Sequence, residues 1–176
     1  MHCCSRRKAL AHVGALTAGA ALPAWAQQPP SSGDKGGPPP AVGTPLPLPD
    51  ITLFDGRTVT QADFDRQVLV LYWWASWCPF CAVQSPMMEK LWRAQQGRGL
   101  KFVGLSIDRK PEDATGYLAR HGYTFPAALV TPAIARVLPK AKGLPITVVR
   151  GRDGRVLMGE AGQLFPEDVE QIARFL

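Results

Sequence analysis

One continuous apolar and aromatic run, "QVLVLYWWA" from Gln67 to Ala75, leads straight into "SWCPFC". No polar residue interrupts it after Gln67, which suits a strand covered on both faces. Elements able to cover it follow. In "AVQSPMMEKLWRAQQGRG", Met88, Leu91 and Trp92 recur at helical spacing, Pro86 is expected to kink the helix, and Gly97 or Gly99 ends it. "LKFVGLSID", Leu100 to Asp108, reads as the next strand. "KPEDATGYLARHG" is a helix with Pro111 and acids in its first turn and Gly122 past its end. "AALV" is a short strand, and "PAIARVL", Pro132 to Leu138, a helical turn or two. Two β-prone runs surround the Asp153–Gly154 turn. "FPEDVEQIARFL" closes as an amphipathic helix with Val169, Ile172, Ala173 and Leu176 on its apolar stripe. Ahead of the long run, "DITLFDGRTVT" predicts a small hairpin. The order predicts an α/β domain, a central sheet with helices on both faces, over residues 50–176.

The start of the chain has a different character. Residues 1–26 carry Arg6, Arg7 and Lys8, no acid, an apolar stretch from Ala9 to Leu22, and "AWA" before Gln27. That is the form of a cleavable secretory peptide, too short and too rich in Gly and Ala for a transmembrane helix; if uncleaved it would anchor the chain. "SRRKAL" resembles a twin-arginine signal, with Ala9 where that pattern usually has Phe. Residues 27–49 hold eight of the chain's 17 prolines and four glycines, and read as a flexible tether. The leader contributes +3 of the formal net charge of +6. The remaining +3, with no long basic run, describes an evenly solvated surface and not a nucleic-acid partner. Lys140 and Lys142 read as a solvated pair. The folded part is expected outside the cytoplasm, in the periplasm of a bacterium.

Removing the leader removes Cys3 and Cys4 and leaves Cys78 and Cys81. A structural zinc site wants four ligands, and here one cysteine pair stands with the single remaining histidine, His121, so no metal is expected. A bridge closing so small a loop would stabilise a fold very little. Redox exchange fits better. A strand ending at Ser76 delivers Cys78 to the first turn of a helix, where free N–H groups and the helix dipole favour the nucleophilic thiolate. Pro79 suits helix initiation. Cys81, most of a turn further on and more buried, can reach back and release a mixed disulfide.

"WASWCPFC" followed by "AVQSP" resembles the thioredoxin superfamily, and "GLPITVVRGRDGRV" resembles its later strand, which opens with a cis-proline facing the cysteines. The leader, the tether, the hairpin and "GLSIDRKPEDATGYLARHGYTFPAAL" together look like the TlpA/ResA-like exported thiol–disulfide oxidoreductases. The resemblance spans roughly residues 45–176. It implies a thioredoxin-like fold: a central mixed sheet flanked by helices, an N-terminal β-hairpin, and a helix–strand insertion between residues 111 and 130. It implies catalysis by Cys78 and Cys81, a cis bond at Pro145, and supporting places for Trp77, Pro79, Phe80 and Leu144. It also implies protein disulfide substrates, a membrane thiol electron donor, no cofactor beyond the cysteine pair, and a monomer. Cytochrome c maturation or general thiol reduction are the implied roles.

The chain departs from the pattern at several places. Gln84 stands where many relatives place a titratable Glu, and Tyr72 where thioredoxins keep a buried acid. Proton handling at Cys81 is therefore unassigned, with a water or Tyr72 as candidates. Leu144 before the cis-proline and Phe80 within the motif would alter substrate preference and redox poise. Trp73 and Trp92 read as core, Trp77 as a rim contact, and Asp108 as an ordinary strand-end residue. Two other functions compete. A peroxiredoxin-type thiol peroxidase would place its nucleophile in a Thr/Ser-x-x-Cys setting, which Ala75, Ser76 and Trp77 do not supply. A copper carrier or chaperone would space its cysteines more widely and add a dedicated His.

Overall fold

The structure, a computed structural model, describes residues 36–176. The leader reading and the first part of the tether lie outside the described residues. The hairpin is formed by β1 (Ile51–Thr52) and β2 (Thr58–Val59), paired Ile51 to Val59. The Asp55 carboxylate accepts the Arg57 N–H at 3.0 Å inside its turn. The long apolar run becomes β3 (Val68–Trp74), buried at all seven residues. It lies between β4 (Leu100–Ser106), parallel to it, and β6 (Ile146–Arg150), antiparallel. With β5 (Ala127–Leu129) and β7 (Val156–Ala161) the sheet order is β5-β4-β3-β6-β7.

The two-residue alternation of β3 divides the core. Val68, Val70, Tyr72 and Trp74 pack with Met88 and Leu91 of α1 (Pro79–Gln95), Ala114 and Tyr117 of α2 (Pro111–His121), and Val169 of α4 (Pro166–Gln171). Leu69, Leu71 and Trp73 pack on the other face with Ile51, Phe64 and Ile134, the last from α3 (Pro132–Val137). Helices therefore cover both faces, as the continuous apolar run required. After α1 a 3₁₀ turn over Gln96–Arg98 ends at Gly99, whose φ of 95° only glycine adopts freely. The closing helix is shorter than expected: α4 stops at Gln171 and Ile172–Phe175 tightens into a 3₁₀ turn, with Val169 and Ile172 buried.

The tether boundary needs correction. Among the described residues, contacts with the domain are already made at Gly37, well ahead of Asp50. Gly37 O accepts the Lys142 N–H at 2.9 Å, and Gly43 N–H donates to Val156 O at 2.8 Å. Val156 N–H donates to Thr44 O at 2.9 Å and Leu46 N–H to Gly154 O at 2.9 Å. The buried Arg150 donates through Nε to Leu46 O at 3.1 Å, and Leu48 is buried in the second core. The sheet edge at β7 offers unpaired backbone groups, and an extended Pro-rich segment can satisfy them where its own N–H groups remain. Gly159 carries no side chain because a Cβ there would meet Pro40 O at 2.6 Å.

Glu89 ties α1 to the segment before β5. Its carboxylate accepts from Thr124 N at 2.8 Å, Thr124 Oγ1 at 2.7 Å, Phe125 N at 3.1 Å, and from Arg93. Burial alone would raise its pKa, but these hydrogen bonds outweigh it and hold the carboxyl below its ordinary value. Glu89→Ala leaves two backbone donors unsatisfied and is expected to cost about 3 kcal/mol, read as a lower urea midpoint at unchanged m. Because the folded-state pKa is depressed, the carboxylate's contribution is fully present above the unfolded value and is lost as pH falls through the folded one. Glu89→Gln should flatten that acid limb.

Candidate active site

The junction of β3 and α1 builds the site. Trp74 O accepts the Ile107 N–H at 3.0 Å, and Ala75 O accepts the Cys78 N–H at 3.2 Å, closing a turn over 75–78. Cys78 is the N-cap of α1, with extended backbone (φ −86°, ψ 116°), and Pro79 is the first helical residue. The Cys78 Sγ accepts the Cys81 N–H at 3.3 Å. That amide is one of the donors a helix start leaves free, so a thiolate at Cys78 receives a hydrogen bond and faces the positive end of the helix. Both thiols are unbridged.

Cys78 is 5% exposed and Cys81 fully buried. The leading thiol is thus more enclosed than the sequence suggested, because its Sγ turns back onto the helix N-terminus. Its neighbours Trp77 and Phe80 stand out at 65% and 59% exposure. Burial pushes the Cys81 thiol well above its ordinary range, adjacent Cys78 adds to the rise, and the Tyr72 hydroxyl opposes it. Tyr72 Oη lies 3.1 Å from Ser85 Oγ and 3.5 Å from Cys81 O. Burial raises the Tyr72 phenol well above its usual value, so it serves as a neutral hydroxyl and not as a base.

Gln84 is fully buried and structural. Its Nε2 donates to Thr147 Oγ1 at 3.0 Å, and its Oε1 accepts the Leu164 N–H at 2.7 Å. It therefore fastens α1 to β6 and to the loop after β7. The Leu144–Pro145 peptide is cis, and Pro145 O accepts the Gly162 N–H at 2.8 Å. Phe80 and Leu144 line one shallow cavity with Gly162, Gln163 and Phe165. Trp77 lines a different one with Ile107, Asp108, Arg109 and Asp113. Trp73 is buried and Trp92 packs half-buried against the first core.

Two features escaped the sequence reading. Phe165, 69% exposed, completes an apolar rim with Phe80. Asp108 is no ordinary strand end: it is buried and accepts hydrogen bonds from Ser76, two residues before Cys78. The Ser-x-Asp spacing of "SID" was the available signal. Among the described residues no group of three or more His, Cys, Asp or Glu side chains is placed to hold a metal, and no helix is long and apolar enough to cross a membrane.

Comparison with known proteins agrees with this geometry. The AhpC/TSA family matches residues 42–131, just over half of the chain, including both cysteines and Asp108. Thiol-disulfide oxidoreductase ResA of Geobacillus thermodenitrificans is 28% identical over 136 residues, covering 74% of this chain and 76% of that protein. A thioredoxin family thiol:disulfide interchange protein from Chlorobium tepidum superposes with a TM-score of 0.69 at 24% identity, covering 77% of this chain and 97% of that one. A second Chlorobium tepidum protein, described as the thiol:disulfide interchange protein DsbE, gives 0.64 at 28% identity, with 81% and 95% covered. The chain belongs to the AhpC/TSA family, as one of its thioredoxin-like thiol–disulfide oxidoreductases.

Proposed function

We propose that the chain is an exported reductase of protein disulfides. The Cys78 thiolate attacks a substrate disulfide, one substrate sulfur leaves with the electron pair and takes a proton, and a mixed disulfide forms. Cys81 then loses its proton and attacks Cys78 Sγ. The second substrate sulfur departs, and the pair ends as a Cys78–Cys81 disulfide. The substrate gains two electrons and two protons, both electrons from the cysteine pair, so no further cofactor is required. The observation that carries this reading is Cys78 at the N-cap of α1 with the Cys81 amide on its sulfur.

The exported setting rests on the leader, and the substrate class on the apolar rim of Phe80, Leu144 and Phe165 together with the exposed Trp77 next to Cys78, which suits an unfolded or extended protein segment. A membrane thiol donor would return the pair to its dithiol form, since an exported compartment lacks a glutathione-like buffer. A single subunit carries every group named, so a monomer suffices. General thiol reduction and cytochrome c maturation are the roles in view.

The test offers the purified dithiol protein insulin disulfide and, separately, hydrogen peroxide with a thiol donor. One insulin disulfide reduced per chain, turnover when dithiothreitol is added, and peroxide loss no faster than with free thiol are expected. The pair's potential should lie near the thioredoxin value of about −270 mV. Rapid peroxide turnover would make the chain a thiol peroxidase instead.

A further inference from the structure

We propose that Asp108 is a positioning residue for disulfide exchange: its buried carboxylate, acting through Ser76, holds the turn that presents Cys78. This rests on the exchange chemistry proposed above.

The carboxylate is 6% exposed and lies just past the end of β4, beside the end of β3. The Ser76 N–H is shared between Oδ1 at 3.2 Å and Oδ2 at 3.1 Å. The Ser76 hydroxyl donates to Oδ1 at 2.7 Å, and the Ser106 hydroxyl to Oδ2 at 2.7 Å. Ser106 Oγ also accepts the Asp108 N–H at 3.0 Å, which fixes the carboxylate from its own strand. Among the described residues no salt bridge reaches Asp108. A carboxylate buried on hydroxyls and one amide loses solvation without a countercharge, which fold stability alone does not call for. What the arrangement supplies is placement. Ser76 is the middle residue of the three that connect β3 to Cys78, and the Asp108 carboxylate grips both its backbone and its side chain. The outer side of Asp108 lines the cavity shared by Trp77, Arg109 and Asp113, so the same group borders the exposed rim.

Placement matters because Cys78 Sγ must serve three bonding states while its backbone stays put. It accepts the Cys81 amide, then bonds to substrate, then bonds to Cys81. An error of an ångström in such geometry can cost on the order of a hundredfold in rate. A turn already held also loses less freedom when the bridge closes, which favours the disulfide form. Loss of the clamp should therefore slow exchange and make the pair more oxidising.

The test compares wild type, Ser76→Ala, Asp108→Asn, the double variant and Cys78→Ser in the full chain. Readouts are the exchange rate with insulin, the potential of the Cys78–Cys81 pair against glutathione, and the thermal midpoint. Each single variant should slow exchange about tenfold and weaken the disulfide about tenfold, which is about 30 mV toward positive potential. The double variant should move no further than Asp108→Asn, since both act through one contact. A purely structural Asp108 would lower the thermal midpoint and leave the potential at the wild-type value, which overturns the proposal. Ser76→Ala loses one hydroxyl on a half-buried residue and keeps the test decisive if Asp108→Asn does not fold. Exchange surviving in Cys78→Ser would overturn the proposed function itself. Exchange through Cys78 with unaltered Ser76→Ala and Asp108→Asn would overturn the role of Asp108 alone.

Discussion

A Cys78→Ser chain should exchange no disulfides, and a Cys81→Ser chain should accumulate covalent adducts with its substrates. The asymmetry comes from the two burials and from the helix start. Cys78 sits at the N-cap, where its sulfur receives the Cys81 amide and lies beside the exposed Trp77 and Phe80. Replacing that sulfur removes the nucleophile, and the rate should fall roughly a thousandfold or more, because no other described residue offers a thiol near the rim. Cys81 is fully enclosed, so an incoming protein disulfide cannot reach it first. Its task is the second step, and serine there leaves the first bond formed and unresolved. On a non-reducing gel Cys81→Ser should give bands at the summed mass of chain and substrate that vanish with dithiothreitol. Cys78→Ser should give none. Full turnover by Cys81→Ser would mean that a substrate or solvent thiol resolves the adduct, and the two-cysteine mechanism would be wrong.

How much of this was legible depends on sequence distance. The strand, the turn and the helix that hold the cysteines are contiguous, and their signals are local: eight residues after Gln67 without polar interruption, Pro79 at a helix start, Gly99 and Gly122 at helix ends. The mixed sheet followed from the order of elements together with the resemblance. Contacts across the fold were not legible. Asp108 meets Ser76 over 32 residues, and Phe165 shares a cavity with Phe80 only because the loop after β7 returns to the start of α1. In the sequence Gln84 stands out for the charge it lacks, whereas in the fold its amide satisfies Thr147 and the Leu164 backbone. The tether misled through composition. Low apolar density argues against an independent core, but Gly43, Thr44 and Leu46 needed only a sheet edge, and Leu48 a gap in a core built by others. The aromatic content of β3 said that both faces were covered without saying that Tyr72 would lie over the Cys81 backbone.

The second large effect is on the pH dependence of resolution. Burial holds the Cys81 proton above the ordinary thiol range. In the mixed disulfide Cys78 no longer contributes a thiol, so its part of the rise disappears, while burial, the largest cause, remains. Resolution requires the Cys81 thiolate, whose fraction below its pKa grows about tenfold per pH unit. The release rate of a preformed mixed disulfide should therefore climb without a plateau through about pH 8.5, the ordinary cysteine value. Tyr72→Phe removes the hydroxyl that opposes the rise, and should slow release at every pH while leaving the slope intact. Stopped-flow release of a thiol chromophore bound at Cys78 measures both, and a plateau at neutral pH would show that another group takes the Cys81 proton. The same raised pKa acts on folding. Above the unfolded thiol value the unfolded chain loses the proton that the folded chain keeps, so the contribution present below that value is lost as pH rises. Urea midpoints of the reduced protein at about pH 7 and about pH 10 should differ accordingly, and Cys81→Ala should remove the part of the difference that belongs to this thiol.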